Sequence, residues 1–306
     1  MTRSALSVVI PTRDRVERLR RCVASLRAAL RDVDELIVVD SASRDALSIQ
    51  AIARSGGALY LRAQHPGVNR ARNLGWQRAA NGLIAFVDDD VVVEPTWADA
   101  FAASAVAHPD AAFITGRLSP LGDSGHGPVA VKDDSAPATL TRLSRGDLGH
   151  GASVLVRAAA LAAVGGWDES LGAGAKFESA PEADLFDRLL LAGFEGRYEP
   201  AARARHEQWR TPRQLVGLDW RYGFGNGARL AKLVRTDRPR ARWVASEAAW
   251  GWGLQRLGAP VRARNKTETA RVLARLAGTG AGFGAALLTP VREGHFVNRA
   301  KSDELR

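Results

Sequence analysis

Four compact apolar runs punctuate the first 87 residues: Leu6–Ile10 (LSVVI), Leu36–Asp40 (LIVVD), Ala58–Arg62 (ALYLR) and Leu83–Val87 (LIAFV). The first, compact and β-branched and closed by Pro11, reads as a buried strand, and the others as a second strand, a third, shorter one and a fourth. Between the first two, Val16, Leu19, Val23, Leu26 and Leu30 recur at spacings of three and four. That is an amphipathic helix, and its other face is crowded with arginine. Helices are likewise expected after the second run to about Arg54, from about Asn69 to Ala80, and from Pro95 to about Ala107. This alternation implies an α/β fold, a Rossmann-like, mostly parallel sheet flanked by helices. Ligands of such sheets gather beyond the carboxyl ends of the strands. Pro11 to Asp14, Asp40 and Asp88 to Asp90 all fall at such ends.

The stretch NGLIAFVDDDVVVEPTW then poses a charge problem, because Asp88, Asp89 and Asp90 follow an apolar run directly. Like charges that close lose stability or take up protons unless a cation or solvent offsets them. If the segment is extended, Asp88 and Asp90 share a direction and Asp89 points the other way. Such a pair can hold Mg2+ or Mn2+, and the ion can bridge the oxygens of a diphosphate. The plainer alternative is an acidic turn at a strand end.

Composition narrows the partners. The 306 residues carry 43 Lys plus Arg against 33 Asp plus Glu, a formal charge of +10. That balance suits phosphorylated ligands, polyanions or an anionic membrane. Cys22 is the only cysteine, which excludes an internal disulfide and a Cys-based metal site. The loop PTRDR after the first run has no Gly-x-Gly-x-x-Gly, and no Walker loop occurs, which disfavours dinucleotide and P-loop binding. The N-terminal apolar run, about five residues, is too short for a signal peptide or a spanning helix. A cytoplasmic protein, or one peripheral at the cytoplasmic face of a membrane, is expected.

Further along, Leu118 to Thr139 reads as a long loop or lid, Ser153 to Val156 as a short strand, and PEADLFDRLLLAG as a helix. Arg197 to Arg242 holds twelve basic residues. Within it, DWRYGFGNGARLAKLVR mixes Trp220, Tyr222 and Phe224 with cations, and glycines break its helical reading. Such a segment suits an acceptor sugar, a lipid diphosphate or a membrane surface. No recognised nucleic-acid module appears, so nucleic acid is not an expected partner.

The order and spacing of SVVIPTRDR, LIVVDSAS, ARNLGW, LIAFVDDD, GGWDES and PEADLFDRLLLAG resemble the family 2 glycosyltransferases of the GT-A fold. The resemblance runs from Ser7 to His206. It implies a GT-A domain over 1–210, with a nucleotide-binding half to about 117 and an acceptor-binding half from about 140. A basic, aromatic-containing helical extension, 211–306, follows. The implied activity is metal-dependent, inverting transfer of a sugar from a nucleoside-diphosphate sugar to a hydroxyl. The acceptor would be a saccharide, a lipid-linked sugar or a small natural product. A sugar-phosphate nucleotidyltransferase is the enzyme alternative, although it normally needs a glycine-rich loop where PTRDR stands. A non-catalytic nucleotide-sugar or saccharide-binding protein of the same fold is the other.

Carried over by motif, Pro11, Thr12 and Asp14 lie beside the nucleoside, and Asp40 accepts from a base imide or ribose hydroxyl. Asp40 is equally a helix cap after a strand. Arg72 lies against the nucleotide or diphosphate; Asn73 is a ligand or a structural hydrogen-bonding residue; Gly75 permits close backbone approach. Asp88 and Asp90 match the family's Asp-x-Asp as metal ligands, with Asp89 reaching the donor sugar or ribose. His206 stands where a histidine approaches the metal or diphosphate, with His150 a weaker candidate and Ser153 a wall residue near the sugar. Trp167 offers a face for an acceptor sugar and Asp168 a carboxylate for its hydroxyls, though a tryptophan also serves simply as core. Members carry Glu-Asp before x-Asp-Leu-x-x-Arg-Leu, the second acid being the base. Alignment on DLFDRL puts Glu182 at the base position and Pro181 where the preceding Glu belongs. Glu178 is the alternative if the helix starts earlier, and Asp184 if the register slips. Asp184 and Arg188 are otherwise spaced as a surface ion pair.

Overall fold

The computed structural model describes residues 4–122 and 130–297, apart from the side chains of residues 251–254. The chain forms two compact units, Met1–Trp167 with Leu185–Gln208, and Asp168–Asp184 with Trp209–Arg306. The sequence reading set its boundary at residue 210 and kept 168–184 with the first domain.

The first unit begins β1 (Leu6–Thr12), α1 (Val16–Ala29), β2 (Glu35–Ser41), α2 (Ala46–Ser55), β3 (Leu59–Ala63), α3 (Val68–Trp76) and β4 (Leu83–Val87). It continues through β5 (Val91–Val93), α4 (Trp97–Ala107), β6 (Ala111–Leu121), β7 (Ala138–Leu140), β8 (Ser153–Arg157) and α5 (Ala158–Ala163). Helix α6 (Pro181–Leu191) starts in the second unit and enters the first, which ends with β9 (Glu195–Glu207). The strands form one sheet in the order β3-β2-β1-β4-β8-β6-β9-β5, with β7 on β9.

Strands β3, β2, β1 and β4 are parallel, as their continuous apolar character implies. Beyond them the sheet is mixed: β8 runs antiparallel to β4 and β6, while β6 and β9 are parallel. Both faces are buried. Val8 and Ile10 join Leu19, Leu26, Leu36 and Val38 on one side, and Val9 joins Ile37, Val39, Ile84 and Phe86 on the other. A Cβ at Gly75 of α3 would lie 2.4 Å from Val9 Cγ1, so the close approach allowed by that glycine is to the sheet.

Part of the expected 118–139 loop is strand. β6 runs through Leu121, pairing Leu118 with Ala204 and Leu121 with Glu207. Leu118 also bridges Lys132, and residues 123–129 of the expected lid lie outside the described residues.

The second unit is helical: α7 (Pro212–Thr236), α8 (Arg238–Ser246), a π-helical stretch (Glu247–Leu254), α9 (Gln255–Arg262) and α10 (Lys266–Leu287), then a small hairpin of β10 (Val291–Arg292) and β11 (His295–Phe296). Helix α7 begins in a capping box, Thr211 with Gln214. Its glycines do not break it, contrary to the sequence reading, and α10 packs against Gly223 and Gly227 at backbone distance. A Cβ on Gly227 would lie 2.1 Å from the Thr279 carbonyl oxygen, and one on Gly282 would lie 1.9 Å from that of Phe224. No described helix is long and apolar enough to cross a membrane.

Candidate active site

The first-unit residues singled out by sequence collect at the carboxyl ends of β1, β2 and β4. Beyond Thr12 the chain turns through Asp14, whose φ of 54° is one that aspartate tolerates. Asp14 is exposed; its N–H donates to Ser43 Oγ at 3.0 Å and its carboxylate accepts from the Arg44 N–H at 2.7 Å. Asp40, at the end of β2, is fully buried. It accepts from the Ser43 N–H at 2.7 Å, from the Tyr60 hydroxyl at 2.9 Å, and from the Arg62 guanidinium. Both its oxygens are therefore already engaged by the protein.

Asp88 to Asp90 form a turn rather than an extended strand, with the Val91 N–H donating to the Asp88 carbonyl at 3.1 Å. The alternation argument for Asp88 and Asp90 therefore does not apply. The charge problem is met by three side chains. Arg72 Nη2 donates to Asp88 Oδ1 at 2.8 Å. Arg15 Nη1 donates to Asp89 Oδ1 at 2.7 Å and contacts Asp90 Oδ2 at 3.3 Å. His206 Nε2 lies 3.2 Å from Asp90 Oδ1. Thr12 Oγ1 also donates to Asp89, at 2.7 Å. Burial pushes the Asp89 carboxyl up to about 6, and Asp90 adds to the rise while Arg15 and the Thr12 bond oppose it. Burial alone would lower the affinity of Arg15 for its proton, but Asp89 and Asp90 outweigh it and hold the guanidinium charged.

Arg15 was not among the residues singled out by sequence; its only signal was its place in PTRDR, one arginine among many. His206, read as part of a basic loop, lies on β9 opposite Val91 of β5.

Arg72 is buried, and its guanidinium lies 4.5 Å from the centroid of the Trp167 ring. Phe86 meets the same ring edge-on at 5.1 Å. Asn73 clamps the Trp167 backbone, donating to its carbonyl and accepting from its N–H, both at 2.9 Å. Trp167 is 1% exposed, so its ring is core and not an open platform for a sugar. Its Nε1 and the Arg72 Nε are buried without partners among the described residues. Ser153 is buried and accepts from Trp97 Nε1 at 2.9 Å, which makes it part of the packing around α4. His150 faces Asp147 at 3.1 Å.

Among the described residues, no group of three His, Cys, Asp or Glu is arranged to enclose a metal ion. An ion that brings phosphate and water as its other ligands would need only the carboxylates of the acidic turn. Among the described residues Asp88 commits only Oδ1 and its side chain is 31% exposed, while Asp90 faces His206 with Oδ1 and Arg15 with Oδ2. Mg2+ and Mn2+ accept one or two carboxylates when substrate phosphate and water complete the shell.

In the second unit, Glu182 occupies the first turn of α6 and is half-buried. Among the described residues its carboxylate has no hydrogen-bond or ion-pair partner. Asp184, expected on the surface, is 2% exposed and accepts from Lys232 Nζ at 2.6 Å. Asp168 is equally buried and accepts from the same Nζ at 2.6 Å, from the Ser170 N–H at 2.9 Å and from the Phe296 N–H at 2.9 Å. It is a structural anchor, closed to acceptor hydroxyls. Glu178 is exposed.

Residues 7–155 match the model of glycosyl transferase family 2. Two pre-mycofactocin glycosyltransferases, from two strains of Mycobacterium tuberculosis, are 28% identical over 268 residues, 83% of this chain and 53% of theirs. The chain thus spans about half the length of the curated relatives it matches. A mannosyltransferase from Pyrobaculum calidifontis, solved in complex with GDP-Man and Mn2+, aligns with a TM-score of 0.58 at 16% identity, over 96% of this chain and 78% of that one. TarS residues 1–349 from S. aureus, in complex with UDP, align with a TM-score of 0.53 at 14% identity, over 95% of each chain. At such identities the solved structures establish the shared fold.

Proposed function

We propose that the chain is a glycosyltransferase, its residues 7–155 matching family 2 on a GT-A-like fold, and that it transfers a sugar, with inversion, from a nucleoside-diphosphate donor to a hydroxyl acceptor. The observation that carries this reading is the acidic turn at the end of β4, where Asp88, Asp89 and Asp90 meet Arg72, Arg15 and His206. Two guanidiniums beside three carboxylates leave negative charge that a divalent ion arriving with a diphosphate would offset.

Asp88 and Asp90 would supply carboxylate oxygens to Mg2+ or Mn2+, with donor phosphate and water completing the shell, while His206 stays on Asp90. A bound ion of this kind offsets negative charge on the diphosphate as it becomes the leaving group. Pro11, Thr12, Asp14 and Asp40 border the nucleoside, and the buried guanidinium of Arg72 acts through Asp88, which it holds at the diphosphate side of the site. Asp89 stays with Arg15 and Thr12 as the fixed centre of the turn.

Glu182 takes the proton of the acceptor hydroxyl as that oxygen attacks the anomeric carbon. The bond to the diphosphate oxygen breaks on the opposite side, which inverts the carbon. Glu182 suits this task because no side chain among the described residues holds its carboxylate, whereas Asp184 and Asp168 are spent on Lys232. Trp167 contributes by supporting Arg72.

Acceptor candidates are a saccharide, a lipid-linked sugar or a small natural product; pre-mycofactocin, from the name of the curated relatives, joins them. Work in the cytoplasm or at the cytoplasmic face of a membrane fits a chain of net charge +10 with exposed Trp220 and Trp250. The test is Glu182→Gln. Donor binding, read as a thermal shift with UDP- and GDP-sugars plus Mn2+, is retained, and turnover of the donor falls about 100-fold or more. Unchanged turnover would reject Glu182 as the base.

A further inference from the structure

Lys232 is a cation sealed inside the second unit, and the reaction as described makes no use of it. Its side chain is 4% exposed, and its Nζ lies 2.6 Å from both Asp168 and Asp184, each 2% exposed. The Phe296 ring caps the ammonium at 4.6 Å. Asp184 stands two residues after Glu182, in the opening turns of α6. One bond from α7 therefore fixes the helix just beyond the proposed base.

A second contact from the same helix fixes the chain just before it. Gly225 lies seven residues before Lys232, about two turns along one face of α7. A Cβ there would lie 2.5 Å from the carbonyl carbon and 2.6 Å from the carbonyl oxygen of Ser179. Only a glycine lets α7 lie against that backbone. The next residue, Ala180, holds a φ of 60°, a left-handed conformation that alanine adopts only where its surroundings impose it. Pro181 then opens α6. Glu182 is thus bracketed: Ser179 is pressed against Gly225 on one side, and Asp184 is bonded to Lys232 on the other.

We propose that α7 acts as a splint for Glu182, with Lys232 as its positioning residue through Asp184. The proposal rests on Glu182 being the base. It gives the C-terminal region a part in catalysis, beyond that of an appendage or a membrane dock. A base must sit within hydrogen-bond reach of the proton it takes, and an error of about 1 Å in its place is enough to cost 100-fold.

The test is a double-mutant cycle. Lys232→Met, Asp184→Asn and Glu182→Gln are made singly, and each of the first two is combined with Glu182→Gln. Turnover is read as Mn2+-supported release of GDP from GDP-mannose and of UDP from UDP-GlcNAc, with water in the acceptor's place. Hydrogen exchange is followed at the first turn of α6 and, as a reference, in β1. The splint predicts that Lys232→Met and Asp184→Asn each slow turnover about 100-fold, while the donor KM changes less than about threefold. Neither variant slows Glu182→Gln further, and the first turn of α6 exchanges at least about tenfold faster while β1 does not.

A full extra loss on top of Glu182→Gln overturns the proposal, as does unchanged exchange at that turn. Turnover that merely tracks a lower melting temperature overturns it too. Should Lys232→Met fail to fold, Asp184→Asn decides alone, since it keeps the Lys232–Asp168 bond. Wild-type turnover in Glu182→Gln sinks the base assignment instead, and if neither donor turns over the exchange comparison still decides whether the splint exists.

Discussion

The guanidinium of Arg15 donates to the buried carboxylate of Asp89 at 2.7 Å, across 74 residues of chain. It joins the end of β1 to the end of β4 and supplies positive charge where three consecutive acids meet.

Arg15→Gln leaves Asp89, 3% exposed, and Asp90, 5% exposed, with one cation fewer. Stranding a buried charge in this way costs about 3–5 kcal/mol, to be read from the urea midpoint. Mn2+ should recover more stability in Arg15→Gln than in the wild type, because the ion then meets carboxylates that have lost their own cation. An unchanged midpoint would contradict the role given to Arg15.

The glycines of α10 separate two effects of one substitution. At Gly282 a Cβ would meet the Phe224 carbonyl oxygen at 1.9 Å, while at Gly280 it would meet nothing within 4 Å. Gly282→Ala must push α7 and α10 apart, a loss of about 1–3 kcal/mol or more. Gly280→Ala should gain about 0.5–1 kcal/mol from helix propensity. Thermal melts followed by circular dichroism give both signs.

Cys22 serves as a built-in probe of opening. It is fully buried, and burial together with Asp89, Asp90 and Asp88 pushes its thiol well above the usual range. At neutral pH a disulfide reagent should leave the native protein untouched and titrate one thiol after unfolding. Rapid labelling of the folded protein would contradict this packing.

Strands β1, β2 and β4 were legible because their apolar runs are nearly uninterrupted, as a sheet buried on both faces requires, while β3 is a partly exposed strand with Leu59 open to solvent. β9 was hidden by its own alternation. Buried Ala202 and Ala204 are small, and exposed Arg203 and Arg205 made the segment look like a basic loop. The glycines of α7 read as helix breakers because the feature that makes them useful, the backbone of α10, lies more than fifty residues along the chain. GGWDES announced an aromatic ring and an acid but not their burial against Arg72 and Lys232. Arg15 and Lys232 were indistinguishable from the other 41 basic residues among the 43 in the chain. Nothing local to a cation says that a carboxylate far along the chain will enclose it.

A divalent ion held by Asp88 and Asp90 would join the protein to the diphosphate of its donor. Calorimetric titration of UDP and GDP, with Mn2+ and then with EDTA, on the wild type and on Asp90→Asn tests it most directly. At least one nucleotide should bind about tenfold or more tightly with Mn2+, a gain of about 1.4 kcal/mol that Asp90→Asn abolishes. Binding of equal strength in EDTA, or an Mn2+ effect that survives Asp90→Asn, would contradict it.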